Sequence, residues 1–340
     1  MRKNRVRQKE RGILITDDLA IFGEVWCEKR ISRLRELVDL PEQILTSHDL
    51  ERHADWLADT EVIFSTWGMP SLTTEQLALF PKLRAVFYAA GSVKLFAQPM
   101  IDRGILVLSA ASANAIPVAE FTLSQILFGL KSGWAHVRQF REKPGNEGWR
   151  RLAMAGVYQS TVGVISLGLI GRSVCDLLEP FSVRKLVYDP FISLESIKDY
   201  RVQSVGLPEL FSLSDVVTVH TPWLEETEGL ITGDLLRRMK PYATFINTSR
   251  GALVNEPELI EVMRERPDLT AVLDVAVAEP PHADSALLTL PNVVLTPHIA
   301  GSFGNERLRM ADDMIEEFKS WRDGLPLRFL VSLEDIVHGA

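Results

Sequence analysis

Three short segments in the second half of the chain carry groups suited to acid–base and anion chemistry. "NTSRGALVNEPEL" presents Arg250 directly before Gly251, "LDVAVAEPP" holds Asp274 and Glu279, and "TPHIAGS" holds His298. A histidine with a carboxylate partner is an acid–base pair. The carboxylate orients the ring and favours imidazolium, and an unperturbed ring titrates near ~6.5. A planar guanidinium grips a carboxylate through two parallel hydrogen bonds. Each residue has a plainer alternative: a structural histidine, a glutamate capping the turn before Pro280, an arginine in a surface ion pair. Spacing along the chain does not show whether Glu279 and His298 touch.

A fourth segment, "TVGVISLGLIGR" at 161–172, bears on a nucleotide. A β-like run meets a glycine-bearing turn and then a helical run. The dinucleotide fingerprint is G-x-G-x-x-G; here Ser166 stands at the first glycine, followed by Gly168 and Gly171. Gly168 lets backbone approach a pyrophosphate, and Gly171 allows close helix–strand packing. The amides of Leu169 and Ile170 face an anion at the helix N-terminus. A serine serves at the first position if its backbone angles stay in an allowed region, and its effect on cofactor binding is expected to be modest. Asp189 lies 21 residues beyond Gly168 and ends the next β-like run. An acid there bonds the adenosine ribose and repels the 2′-phosphate of NADP, which favours NADH over NADPH. The alternative is a turn aspartate before Pro190.

These groups need elements to position them. In the second half, "TVGVIS", "RKLVYD", "DVVTVH", "ATFINTS", "LTAVLDVA" and "NVVLTP" read as six apolar, β-branched strands separated by helical runs. That rhythm implies a parallel sheet buried on both faces, a doubly wound nucleotide-binding domain. In such sheets ligands bind outside the carboxyl ends of the strands. Asp189, His220, Ser249 with Arg250, Asp274 and His298 all follow closely on strand-like runs, so they share one edge. In the first half "GILIT", "EVIFSTW", "LRAVFYAAG" and "GILVLSA" read as strands, with "EVWCEKRISRLRELV" and "TTEQLALF" as helices: a small α/β unit. The span Ile116–Glu142 is expected as one long helix with Pro117 in its first turn, and "KPGNEGW" breaks the pattern. The final helical run, "NERLRMADDMIEEFKSWRDG", is expected to return the chain to the first domain.

Composition excludes some classes. The 340 residues suffice for two domains, and 46% hydrophobic with 24% charged residues is ordinary for a globular protein. A net charge of −8 argues against a nucleic-acid partner, which favours a basic footprint. The basic run "MRKNRVRQKER" is expected to be a frayed, solvated tail, with a nucleic-acid or membrane arm as the alternative. It is too poorly followed by apolar residues for a signal peptide, and no window reaches the ~20 apolar residues of a spanning helix. Cys27 and Cys175 have no metal or redox spacing, which fits a reducing cytoplasm.

From about residue 60 to 320 the chain resembles the D-isomer-specific 2-hydroxyacid dehydrogenases. "TVGVISLGLIGR" with "YDP", "DVVTVHTPWLEETEGLI", "FINTSRGALVNEPELIEVM", and "LDVAVAEPP" with "NVVLTPHIAGS" carry the resemblance. It implies a Rossmann-type NAD-binding domain, residues 113–303, inserted into a smaller flavodoxin-like α/β substrate domain made of 1–112 and 304–340. It implies that Arg250 binds substrate and that Glu279 and His298 form the acid–base pair. The implied NAD contacts are Gly168, Leu169, Ile170, Asp189, His220, Thr221, Pro222, Thr227, Thr248, Ser249, Arg250, Asp274, His298 and Gly301. "YAAGSVKLF" resembles the family's substrate loop, so Gly91, Ser92 and Val93 join Arg250 and His298 as substrate contacts. Lys94 is either a second cation there or a solvated lysine, and Asn114 lies near the domain hinge. A small 2-oxo or 2-hydroxy acid substrate, a homodimer and no metal follow from the same resemblance. Ser166, Leu169 in place of a basic residue, and Ala276 and Ala278 depart from the family's pattern. Two other functions stay open: a non-catalytic NAD-dependent regulator on the same scaffold, and a formate or phosphite dehydrogenase.

Overall fold

Period-2 alternation of apolar residues, with both faces buried, organises two parallel sheets. The computed structural model describes residues 9–193, 195 and 197–338. They form two compact units, 9–114 with 302–338, and 115–301. The resemblance implies breaks two residues earlier at the first crossing and two later at the second. The basic run expected to be a tail lies outside the described residues as far as residue 8. Glu10 and Arg11 already belong to the first strand.

In the first unit, β1 (Glu10–Leu14), β2 (Val38–Asp39), β3 (Val62–Ser65), β4 (Ala85–Tyr88) and β5 (Leu106–Ser109) form an all-parallel sheet. Its order, β2-β1-β3-β4-β5, is the flavodoxin-like one. Ile13, Ile63 and Val86 pack into one face; Leu14, Phe64 and Phe87 pack into the other. The helix Asn305–Asp323 belongs here. Its Met310, Met314 and Phe318 bury against Phe64 and Phe87, with ring centroids 5.5 and 5.6 Å from Phe318.

The second unit holds β6 (Thr161–Ile165), β7 (Arg184–Tyr188), β8 (Val202–Ser204), β9 (Val216–Val219), β10 (Thr244–Asn247), β11 (Thr270–Leu273) and β12 (Val293–Leu295). The sheet runs β12-β11-β10-β9-β6-β7-β8, every pair parallel. Counted within the unit, this is the doubly wound order 3-2-1-4-5-6 with one strand added. Neighbouring residues alternate between faces: Phe245 and Leu273 enter one core, Ile246 and Val272 the other.

Three expectations need correction. The sheet has seven strands, not six: β8 is a half-exposed edge strand, "VQS", with no apolar run to announce it. In the first sheet, β2 is likewise only two residues long. The span 116–142 is two helices, Ala111–Gly129 and Gly133–Glu142, meeting at 58°. Gly129, Gly133 and a left-handed Ser132 (φ 47°) make the break. Pro117 therefore sits in a helix interior, where its missing N–H removes one backbone bond. Among the described residues no single helix is long and apolar enough to cross a membrane.

Candidate active site

Parallel pairing carries the strand-end residues of the second unit to one edge. Asp189 follows β7, His220 follows β9, Asp274 follows β11, and His298 lies three residues past β12. After β10 come Thr248, Ser249 and Arg250. Among the described residues the structure joins some of these and not others.

Glu279 and His298 are joined. His298 Nδ1 lies 2.8 Å from Glu279 Oε2, both side chains half-exposed. The other carboxylate oxygen, Oε1, accepts the Ala276 N–H at 3.2 Å. Glu279 thus caps a turn and orients the ring, and both sequence alternatives hold at once. With Nδ1 committed to Glu279, Nε2 is the nitrogen left for a substrate proton.

Arg250 shares this corner. Its guanidinium donates to the Ser249 carbonyl at 2.7 Å. Burial pulls it below the ordinary arginine value, and the Glu279 charge pulls it back up. It stays a cation. Gly251, which the sequence marked only as a neighbour, explains the closeness. A Cβ there would lie 2.0 Å from the Ala276 carbonyl carbon and 2.4 Å from the Val277 nitrogen. Only glycine lets the Arg250 turn press against the segment that bears Glu279. Glu256 ties the same segment by accepting the Val277 N–H at 3.1 Å.

Asp274 is buried and spends its carboxylate locally. Oδ1 accepts from Thr296 Oγ1 at 2.5 Å and Ile299 N at 2.9 Å; Oδ2 accepts from Ala300 N at 2.8 Å. Its main-chain carbonyl accepts the His298 N–H at 3.0 Å. His298 itself holds a left-handed φ of 53°. Thr296, one residue before Pro297, was missed because its role depends on a residue 22 positions away.

The glycine turn departs from expectation at Ser166. Its φ is 71°, the left-handed region that favours glycine. The conformation is held by Ser166 N–H donating to the Tyr188 carbonyl (2.8 Å) and by Ser166 Oγ at 3.0 Å from Thr221 Oγ1. Asp189 reinforces it, accepting from Leu167 N and Phe191 N at 2.9 Å each. Gly171 is required by packing, since a Cβ would fall 2.1 Å from the Ser166 carbonyl oxygen. Gly168 is different: a Cβ there would meet nothing within 4 Å. Among the described residues no side chain caps the helix Leu169–Leu177 that Gly168 opens, which leaves the first-turn amides of Leu169 and Ile170 as open donors. An uncapped helix N-terminus, bare backbone at Gly168 and a carboxylate at Asp189 together fit a dinucleotide.

The remaining expected cofactor contacts make the following bonds within the unit. His220 is buried and neutral, its pKa pulled down to about 3 by burial. Its Nε2 lies 3.1 Å from Thr218 Oγ1, and Nδ1 has no partner among the described residues. Thr227 Oγ1 donates to the Pro222 carbonyl at 2.7 Å and accepts the Leu224 N–H at 2.8 Å, closing its own loop. Thr248 Oγ1 lies 3.1 Å from Thr122 Oγ1, and Ser249 Oγ donates to the Val219 carbonyl at 2.9 Å. Gly301 is the last residue of the unit.

In the first unit the Gly91–Val93 loop follows β4. Ser109 Oγ lies 2.9 and 2.6 Å from the carbonyl oxygens of Ala90 and Gly91. Among the described residues no backbone carbonyl accepts from the N–H of Gly91, Ser92 or Val93. Val93 is anchored in the core. Asn114 Oδ1 accepts the Ser302 N–H at 3.0 Å, tying together the residues at which the chain leaves and re-enters this unit.

The family profile "D-isomer specific 2-hydroxyacid dehydrogenase, NAD binding domain" matches residues 130–300. A glyoxylate reductase of Korarchaeum cryptofilum is 34% identical over 72% of this chain and 74% of its own. The chain therefore belongs to the D-isomer-specific 2-hydroxyacid dehydrogenase family. A D-3-phosphoglycerate dehydrogenase of Archaeoglobus fulgidus is 35% identical over 69% of this chain. The chain covers only 44% of that relative's length. The NAD-complexed D-isomer specific 2-hydroxyacid dehydrogenase of Lactobacillus delbrueckii ssp. bulgaricus superimposes with a TM-score of 0.76. It covers 94% of this chain and 100% of its own, at 20% identity, a likeness of fold.

Proposed function

We propose that the protein interconverts a 2-oxo acid and a D-2-hydroxy acid with NAD(H). The observation that carries this is the 2.8 Å His298–Glu279 pair on the same edge as an uncapped dinucleotide turn, with the Arg250 cation beside it. Gly168, Leu169, Ile170 and Asp189 would hold the cofactor, which when bound supplies the hydride. His298, held through Nδ1 by Glu279, gives its Nε2 proton to the carbonyl oxygen as C2 is reduced, and takes it back in the reverse direction. Arg250 grips the substrate carboxylate and stabilises the developing alkoxide. Within the first unit, the open amides of Gly91, Ser92 and Val93 are themselves suited to holding a carboxylate. Asp189 sets a preference for NADH, because its charge opposes a 2′-phosphate. A homodimer is supported by the exposed Phe128, Phe140, Trp149 and Met154 around the two helices after residue 111. Light scattering in solution tests it.

The main test is NADH oxidation with glyoxylate, hydroxypyruvate and pyruvate, repeated with NADPH. Turnover with at least one, faster with NADH, is expected. A flat absorbance trace with NADH binding intact would leave the protein a non-catalytic NAD(H) binder.

A further inference from the structure

We infer that Asp274 is a positioning residue that aims His298 by holding the loop that carries the imidazole. The inference rests on the proposed reaction only for the role of His298; the lock itself is visible in the fold. Two observations meet at one loop. His298 sits at φ 53°, a conformation that a β-carbon makes unfavourable and that persists only when its surroundings over-determine it. Much of that support comes from one residue. The Asp274 carboxylate takes the Thr296 hydroxyl and the Ile299 and Ala300 amides, one donor before His298 and two after it. The Asp274 carbonyl shares the His298 amide with the Thr296 carbonyl, at 3.0 Å each. Residues 296–300 are thus wound around one aspartate, with the imidazole projecting from the middle of the winding toward Glu279.

Asp274 is almost fully buried, and no ion pair to it exists among the described residues. A carboxylate taken from water without a cation is costly unless hydrogen bonds replace its hydration. Three donors from one loop do so, and at least two of them are backbone amides that no other residue of the described chain receives. Glu279 holds the ring, whereas Asp274 holds the main chain beneath it.

The test compares Asp274→Asn, Thr296→Val and His298→Ala, singly and as the Asp274→Asn/His298→Ala double variant. An asparagine keeps the shape but turns one oxygen into an NH2 group, which opposes an amide donor. Asp274→Asn is expected to lower kcat about 10²-fold, the effect of a catalytic group displaced by about 1 Å. NADH Kd should change less than threefold. Thr296→Val, which leaves the carboxylate and both amide bonds, should lower kcat only severalfold. The double variant should be no slower than His298→Ala alone, because a residue acting through His298 has nothing left to act on. Multiplicative losses, or a tenfold weaker NADH Kd with kcat at saturating NADH retained, would overturn the inference. Hydrogen exchange of the 296–301 peptide supplies a readout independent of turnover. Protection should be lost in Asp274→Asn and kept in His298→Ala, and unchanged protection in Asp274→Asn overturns the lock. If the wild type turns over no 2-oxo acid, the proposed reaction fails while exchange still decides whether the lock exists.

Discussion

The second unit bends its backbone into the left-handed region at two functional places, Ser166 in the glycine turn and His298 after β12. The same conformation is solved differently in each. At His298 the proposed reaction needs the side chain, which excludes glycine, and a buried aspartate holds the strained loop with three bonds. At Ser166 the backbone does the work, and the side chain only adds a hydroxyl contact to Thr221. The difference lies in where the support acts: one buried side chain gathers the loop around His298, whereas bonds from Tyr188, Thr221 and Asp189 brace the turn at Ser166.

Substitutions can break or sharpen that contrast. The largest effect is expected at His298, where alanine should cost on the order of 10²–10⁴ in turnover, measured by NADH oxidation. A His298→Gly variant should lose activity equally, yet gain about 1 kcal/mol in denaturant unfolding, because glycine relieves the positive φ. Near-normal turnover in either would remove His298 from the chemistry. Next comes Gly171→Ala, whose Cβ would strike the Ser166 carbonyl oxygen at 2.1 Å. It should destabilise by about 1–3 kcal/mol and weaken NADH binding, since relief requires opening the turn.

Glu279→Gln removes the charge that orients the ring and leaves the main-chain lock intact. A loss of about 10–10² in kcat is expected, smaller than for His298→Ala; an equal loss would mean that orientation is all that His298 contributes. His220, directly after β9, provides a pH test. Its folded pKa of about 3 lies below the unfolded value. The unfolded chain therefore binds the extra proton first, and the stability that neutral His220 contributes above ~6.5 is lost as pH falls toward 3. At pH 5 this is roughly 2 kcal/mol by linkage. His220→Gln should flatten unfolding free energy against pH in that window, and an unchanged slope would show that the ring is not buried neutral. The smallest effect is expected for Ser166→Gly: stability raised by under about 1 kcal/mol after loss of the hydroxyl contact. NADH affinity should improve by less than tenfold, or ~1.4 kcal/mol. A larger gain would mean that the serine strains the cofactor turn more than its three supporting bonds indicate.

Much of the scaffold was readable because it depends on local pattern. Apolar β-branched runs alternate between faces at period 2, and polar residues punctuate their ends. The strands that escaped, β2 and β8, are short edge strands with one neighbour and little apolar content. The long helix failed as a unit because apolar periodicity continues through Gly129–Gly133, whereas backbone angles do not.

The order of polar residues along the chain already determined that Asp189, His220, Arg250, Asp274 and His298 would share an edge, since parallel strands leave no other place for their carboxyl ends. Only the tertiary structure decided which of them touch. Glu279 reaches His298 because Gly251 lets two backbones approach within a distance that no β-carbon permits. Asp274 faces inward to residues 296–300 because their open amides need an acceptor there. Those choices depend on distances between segments 19 to 26 residues apart, and a distance between loops is a property of packing, which no local pattern of residues encodes.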